Sequence, residues 1–288
     1  MSSVKVWFIT GASSGFGRAM TEHLLKIGNK VVATLRKPES LSDLTAYYPH
    51  TQLLVVKVDV ANEADITAAF AKAEEVFGRI DVVFNNAGVS VVGEVESLDE
   101  GDARGVFDVN FWGAVRVSKE AVRFFREVNK PVGGRLLQVS SRLGLVGAPA
   151  CGFYCASWLS PALEGLTECL VTELDPAWNI KVTLLEPGPY RTEISQGNFR
   201  AAPQHPAYAD PALPSSQARK FLGSTERFDG DVTKAVVVIE KFSQLEDVPI
   251  RFPIHRRVLM AMRDKAKSLS EGADKYERWT DGLYHDES

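Results

Sequence analysis

A doubly wound α/β fold, in which helices cover both faces of a parallel sheet, is what this sequence predicts, and three observations predict it. Short β-rich apolar runs alternate with helix-period stretches along most of the chain. Several of those runs, such as VVFNNAG and VTLLEPG, are continuously apolar at their start, as strands are when both faces are buried. Finally, 288 residues with 45% hydrophobic and 24% charged side chains suit one large core, and neither an internal repeat nor a second core is visible.

The elements follow in order. The β-branched and aromatic run Val4–Thr10 is the first strand, and a helical pattern follows at Gly17–Ile27. Lys30–Leu35 and Leu53–Val58 are strands two and three, followed by a helix at Ala64–Phe77. Ile80–Asn85 is strand four, and Asp99–Val128 reads as one long helix. Strands at Gly134–Ser140 and Lys181–Leu185 flank a helix at Pro161–Leu174. A helix at Val232–Phe242 and a late strand at Pro249–Ile254 complete a sheet of about seven strands. Residues 1–288 are thus one domain, with residues 255–288 forming an amphipathic helix, through RRVLMAMRDKAKSLS, and a polar tail. Residues 187–214 contain six prolines and little periodicity, so residues 187–230 read as a substrate-covering flap, the alternative being a solvated insertion. Ligands of such a fold bind beyond the strand C-termini.

Composition narrows the partners. With 33 Lys+Arg against 37 Asp+Glu, the net charge of −4 provides no field for nucleic acid or anionic lipid. No apolar run approaches the roughly eighteen residues of a membrane span. Cys151, Cys155 and Cys169 are an odd set of structural thiols, and no signal peptide precedes them, which points to a reduced, cytoplasmic protein. The five histidines are scattered without ligand spacing, so no metal is expected.

Thr10-Gly11-Ala12-Ser13-Ser14-Gly15-Phe16-Gly17 carries the first strand into the first helix. Glycines at 11, 15 and 17 allow a sharp turn and a close approach to a pyrophosphate, which the free N–H groups of the helix N-terminus then attract. A preference for NAD would place a carboxylate about twenty residues on, at the end of the second strand. Arg36 and Lys37 stand there instead, and a guanidinium beside an ammonium suits the 2′-phosphate of NADP(H).

With Asp59-Val60 after the third strand and Asn85-Asn86-Ala87-Gly88 after the fourth, this GxxxGxG spacing resembles the short-chain dehydrogenase/reductases, whose fold is Rossmann-like. The resemblance runs from Val4 to about Thr192 and adds Pro187-Gly188-Pro189-Tyr190-Arg191-Thr192 as the family's PGxxxT. It implies that Asp59 and Val60 touch the adenine and that Asn85, Asn86, Ala87 and Gly88 stabilise the sheet and line the ribose path. Pro187, Gly188 and Thr192 would then meet the nicotinamide end. Three of the family's four catalytic groups are matched: Asn110 on the fourth helix, Ser141 after the fifth strand, and Tyr154 thirteen residues on.

The fourth, the Lys of YxxxK, is replaced by Trp158, and four residues stand between Ser157 and Ala162 where the family pattern has two. Ser160-Pro161 suits a cap and first helical residue, so the helix is expected to restart there. Without the ammonium Tyr154 should stay protonated, able to donate a proton to a carbonyl oxygen but a poor base. Arg142 and Lys119, the cations that could substitute, read as solvated. Trp158 reads as either a pocket wall or a core residue, Ser140 as a strand-end spacer, and Phe107, Phe111, Trp112, Phe124 and Phe125 as core or subunit packing. The expected function is NADP(H)-dependent reduction of a carbonyl on a mostly apolar small molecule. The alternatives are a repurposed non-redox isomerase or cyclase, and a cofactor-binding pseudoenzyme. The resemblance also implies a homodimer or homotetramer.

Overall fold

In the computed structural model, residues 4–159, 161–192, 199–222 and 228–285 are described, with Trp158, Leu159, Pro161 and Phe199 described by backbone alone. The chain runs β1 (Val6–Thr10), α1 (Gly15–Lys26), β2 (Lys30–Leu35), α2 (Ser42–Tyr47), β3 (Leu53–Lys57), α3 (Glu63–Phe77), β4 (Val82–Asn85), β5 (Ser90–Val92), α4 (Glu100–Phe107), α5 (Ala114–Glu127) and β6 (Gly134–Val139). It continues through α6 (Gly152–Leu159), α7 (Pro161–Glu173), β7 (Ile180–Glu186), β8 (Phe199–Ala201), α8 (Pro214–Leu222), α9 (Val232–Phe242), β9 (Arg251–Pro253) and α10 (Arg256–Tyr276).

Seven strands form one sheet in the order β3-β2-β1-β4-β6-β7-β9, every pair parallel. The chain moves outward from β1 to β3, then returns to place β4 on the other side of β1. That reversal opens a crevice beyond the ends of β1 and β4, where doubly wound sheets bind ligands. The continuous apolar runs are explained by alternation between two cores. Trp7 and Ile9 of β1 pack with α1 and α9, while Val6 and Phe8 pack with α3 and α5. Phe8 stacks on Phe70 at 4.2 Å, and Phe124 and Phe125 are fully buried.

The long helix expected over 99–128 is interrupted. Between α4 and α5, Asp108–Gly113 forms a π-turn, the kind of local widening that re-aims side chains near functional sites. α6 is described to Leu159 and α7 from Pro161, so the restart expected at Ser160-Pro161 falls outside the described residues. Ser160 and the side chains of Trp158 and Pro161 lie outside the described residues.

Residues 187–230 hold more regular structure than their composition suggested. β8 pairs in parallel with β5, and Pro214, at the first position of a helix where it forfeits no hydrogen bond, opens α8. Glu94, just beyond β5 and only 3% exposed, receives Arg219 of α8 at 2.8 and 2.7 Å. After Ala261 the residues of α10 are partly or fully exposed, and no described helix is long and apolar enough to cross a membrane.

Candidate functional site

The glycine loop is held open by β4. Thr10 Oγ1 accepts the N–H groups of Asn86 and Ala87 at 2.8 and 2.9 Å, and Asn86 Nδ2 donates to the Thr10 carbonyl at 3.0 Å. A side chain at Gly11, where φ is +67°, would reach 2.9 Å from the Ala87 backbone, and one at Gly17 would reach 2.2 Å from the Gly11 carbonyl. Only glycine permits this packing. At the start of α1, Ser14 supplies no side-chain cap and the first turn carries no acid, which leaves backbone N–H groups and a positive dipole end facing the crevice.

One cavity collects most of the expected binding residues. Gly11, Ser13, Ser14, Gly15, Phe16, Arg36, Asp59, Val60, Asn86, Ala87, Gly88, Pro187, Gly188 and Thr192 line it, as do Ser141 and Tyr154. Three expected residues lie outside the wall. Gly17 faces the Gly11 backbone, one turn into α1. Lys37 is exposed off the cavity, because successive residues leaving a strand point to opposite sides. Asn110 is fully buried behind the wall. Its side chain accepts from Val89 N at 2.8 Å and donates to Val89 O and Ser157 Oγ, each at 2.9 Å. It therefore fastens the π-turn to the residue before β5 and to α6.

Ser141 closes β6 and caps the short turn Arg142–Gly144, its Oγ accepting from Leu143 N at 3.1 Å. The Ser141 side chain is the polar group that acts on the phenol of Tyr154 on α6. Burial raises the phenol above its ordinary range. The Ser141 contact opposes that shift, and the Cys151 and Cys155 thiols add to it. Among the described residues no lysine or arginine acts on it. Cys151 also lines the cavity, but its thiol is pushed up to about 12 by burial and stays protonated. The cysteines are free thiols, and no metal-sized cluster of ligands occurs among the described residues.

Behind Ser141 is a second support. Ser140, expected to be a spacer, donates from Oγ to Glu164 Oε1 at 2.9 Å. Arg251 then joins Glu164, Glu186 and Glu168 at 2.6, 2.7 and 2.7 Å, tying β9 to the ends of β6 and β7 through α7. Burial raises the Glu164 and Glu186 carboxyls against the pull of Arg251.

Several wall residues were missed by the sequence reading. Leu143, Ala148, Ala218, Phe221, Leu222 and Phe228 supply apolar surface, and Arg142 and Arg257 supply charge. The solvated orientation expected of Arg142 is corrected, since it is half-buried and lines the cavity. The Arg142–Gly144 turn packs against α10, on the side from which Arg257 also reaches the wall. Lys119 is exposed as expected, and Trp112 is 50% exposed, which leaves subunit packing of the two expectations for it.

The cradle fits a nicotinamide dinucleotide on its own terms: a glycine bend that excludes any Cβ, an uncapped helix N-terminus for the pyrophosphate, and Arg36 at the far end. Among the described residues Arg36 makes no hydrogen bond or ion pair. Comparison with known proteins agrees with this shape. A family model described as short chain dehydrogenase matches residues 5–202. An uncharacterised oxidoreductase of Schizosaccharomyces pombe is 34% identical over 270 residues, covering 94% of this chain and 88% of that protein. The crystal structure of a short-chain dehydrogenase from Streptomyces avermitilis superposes with a TM-score of 0.87 at 31% identity, covering 99% of this chain and 100% of that one. A short chain dehydrogenase/reductase from Burkholderia phymatum, solved in complex with NAD, gives 0.76 at 26% identity over 94% of this chain and 95% of that one.

Proposed function

Because the chain belongs to the short-chain dehydrogenase family, and so to a family of oxidoreductases, we propose that it is an NADP(H)-dependent reductase of a carbonyl on a mostly apolar small molecule. The observation that carries this reading is the Tyr154–Ser141 pair, set in the same cavity as the glycine cradle with no cation acting on the phenol among the described residues. When bound, the nucleotide supplies the hydride. Its pyrophosphate would rest at the start of α1 between Gly11 and Gly15, its adenine near Asp59 and Val60, and its 2′-phosphate on Arg36.

The protein's own groups handle the oxygen. Ser141 holds the substrate carbonyl oxygen, and Tyr154 gives that oxygen its proton as the alcohol forms. A protonated phenol is suited to donating and unsuited to accepting, so reduction is the favoured direction. Asn110 contributes by holding the helix that carries Tyr154. In this proposal the protein is cytoplasmic and forms a homodimer or homotetramer, for which the exposed Trp112 beside α5 offers an apolar contact.

Trp158, at the position where the family has Lys, supports a second reading, in which the nucleotide pocket is kept for a non-redox step or for binding alone. Stereospecifically deuterated NADPH tests between them. Deuterium appearing in the alcohol product of a ketone panel supports reduction. Product made without label would establish a non-redox role, and tight NADPH binding with no turnover would establish a pseudoenzyme.

A further inference from the structure

We propose that the substrate arm of the cavity binds a carboxylate, held by the Arg142 guanidinium with Arg257 as a second positive group, so that the substrate is an amphiphilic carbonyl acid. The carbonyl in this statement rests on the reductase reading above, whereas the anion site rests on the cavity itself. Among the described residues the cavity wall contains four charged side chains: Arg36, Asp59, Arg142 and Arg257. Arg36 and Asp59 follow β2 and β3 at the nucleotide end. The other two wall charges among the described residues are guanidiniums, Arg142 next to Ser141 and Arg257 acting on Arg142.

Arg142 is half-buried and, among the described residues, its side chain makes no hydrogen bond or ion pair. The groups that act on it are the Arg257 guanidinium and the Cys155 and Cys151 thiols. A guanidinium keeps its charge even when partly desolvated. Arg142 therefore presents to the cavity a planar fork of donors that no described carboxylate engages, and a carboxylate is the ligand group that matches that fork in shape and charge. Burial and the neighbouring Arg257 both pull its pKa down, a strain that a bound anion relieves. Arg257 is 3.8 Å from Asp229 and 40% exposed, and that carboxylate is engaged more closely by Arg256 at 2.6 Å and His255 at 3.2 Å. Leu143, Ala148, Leu222 and Phe228 supply the apolar wall for the rest of the molecule.

Calorimetric titration of the full chain, loaded with NADPH, with decanoate and with decanol tests the site. The wild type is expected to bind decanoate about tenfold or more tightly than decanol. Arg142→Met should bring the two to parity, Arg142→Lys should keep part of the preference, and Arg257→Met should reduce it less. NADPH affinity, unchanged throughout, serves as the control for folding. Equal binding of the two probes by the wild type, no binding of decanoate, or a preference untouched by Arg142→Met would each overturn the proposal. Turnover of a medium-chain keto acid and of its methyl ester separates the two readings. If neither is reduced while Arg142-dependent decanoate binding persists, the reductase reading fails and the anion site stands. If the ester is reduced as fast as the acid and decanoate is not preferred, the anion site fails and the reductase reading stands.

Discussion

Asn110 Nδ2 donates to Ser157 Oγ at 2.9 Å, and Ser157 Oγ donates in turn to the Tyr154 carbonyl at 2.9 Å. Both Asn110 and Ser157 are fully buried, so the π-turn between α4 and α5 fixes the helix that presents the phenol. Asn110→Ala leaves the N–H and carbonyl of Val89 without their partner, at a cost of roughly 2–4 kcal/mol. The thermal midpoint should fall by several degrees. The rate of reduction should fall with little change in NADPH affinity, because Tyr154 is displaced while the glycine cradle is not. Calorimetry and steady-state kinetics on the variant check this, and an unchanged midpoint would remove Asn110 from the positioning role.

Arg36 lines the cavity wall at the end of β2. Replacing it with alanine removes a charge-assisted contact to a 2′-phosphate, worth about 1.5–3 kcal/mol. NADPH affinity should weaken by about tenfold to a hundredfold while NADH affinity changes little. Lys37→Ala, off the wall, should change neither by more than about twofold. Fluorescence titration with both nucleotides reads the result, and parallel losses for NADPH and NADH would refute the assignment.

The direction of the Tyr154 shift sets a pH profile. A free phenol titrates near 10, and burial moves this one upward, so the proton-donating form persists above that pH. Ketone reduction should lack a basic limb between about pH 6 and 9, and alcohol oxidation should climb through that range without a plateau. Tyr154→Phe should lower reduction about a hundredfold or more. Restoring the family pattern by exchanging residues 158–161 for Lys-Ala should pull the oxidation profile toward neutral pH. Equal rates of oxidation and reduction at neutral pH in the unaltered protein would contradict the proposed direction.

Glu94 reports on the attachment of α8. Arg219, above all, holds its carboxyl at about 2, below the ordinary 4.5. A carboxyl depressed by folding stabilises fully above the ordinary value, and that stabilisation is lost as pH falls from about 4.5 toward 2. The contribution is on the order of 3 kcal/mol. Hydrogen exchange of the α8 amides should accelerate across that window before the central strands open. At neutral pH, Glu94→Gln should reproduce the effect and raise KM more than it lowers kcat, since α8 carries Ala218, Phe221 and Leu222 into the wall. Exchange in α8 that is indifferent to the substitution would show that the pair does not anchor the helix.

The parts of this protein legible in its sequence are those governed by near neighbours. Continuous apolar runs marked several strands of the sheet, since a strand buried on both faces needs no polar position. Glycines 11, 15 and 17 marked the cradle, because Gly11 and Gly17 leave no room for a Cβ and Gly15 takes a positive φ of +52°. The Ser141–Tyr154 spacing marked the proposed catalytic pair through a family pattern. The short pieces β5, β8, α2 and α6 carry too few residues for a period to show. α8 is a different case, for Pro214 at its first position was a helix-start signal passed over in a proline-rich stretch.

What tertiary structure alone decided is which way the long polar side chains turn. Arg142 next to Ser141 could face solvent or substrate, and only the fold places it on the cavity wall, where its turn packs against α10. Glu94 and Arg219 meet across 125 residues, and Arg257 joins the wall from a helix that begins more than a hundred residues after Ser141. The sequence by itself determined the sheet and the glycine bend, because these depend on periodicity and local backbone sterics, and a family pattern marked the phenol proposed as proton donor. The charge and shape of the substrate arm arise from contacts between distant segments, and no local pattern encodes which of the many arginines will be brought to face a cavity.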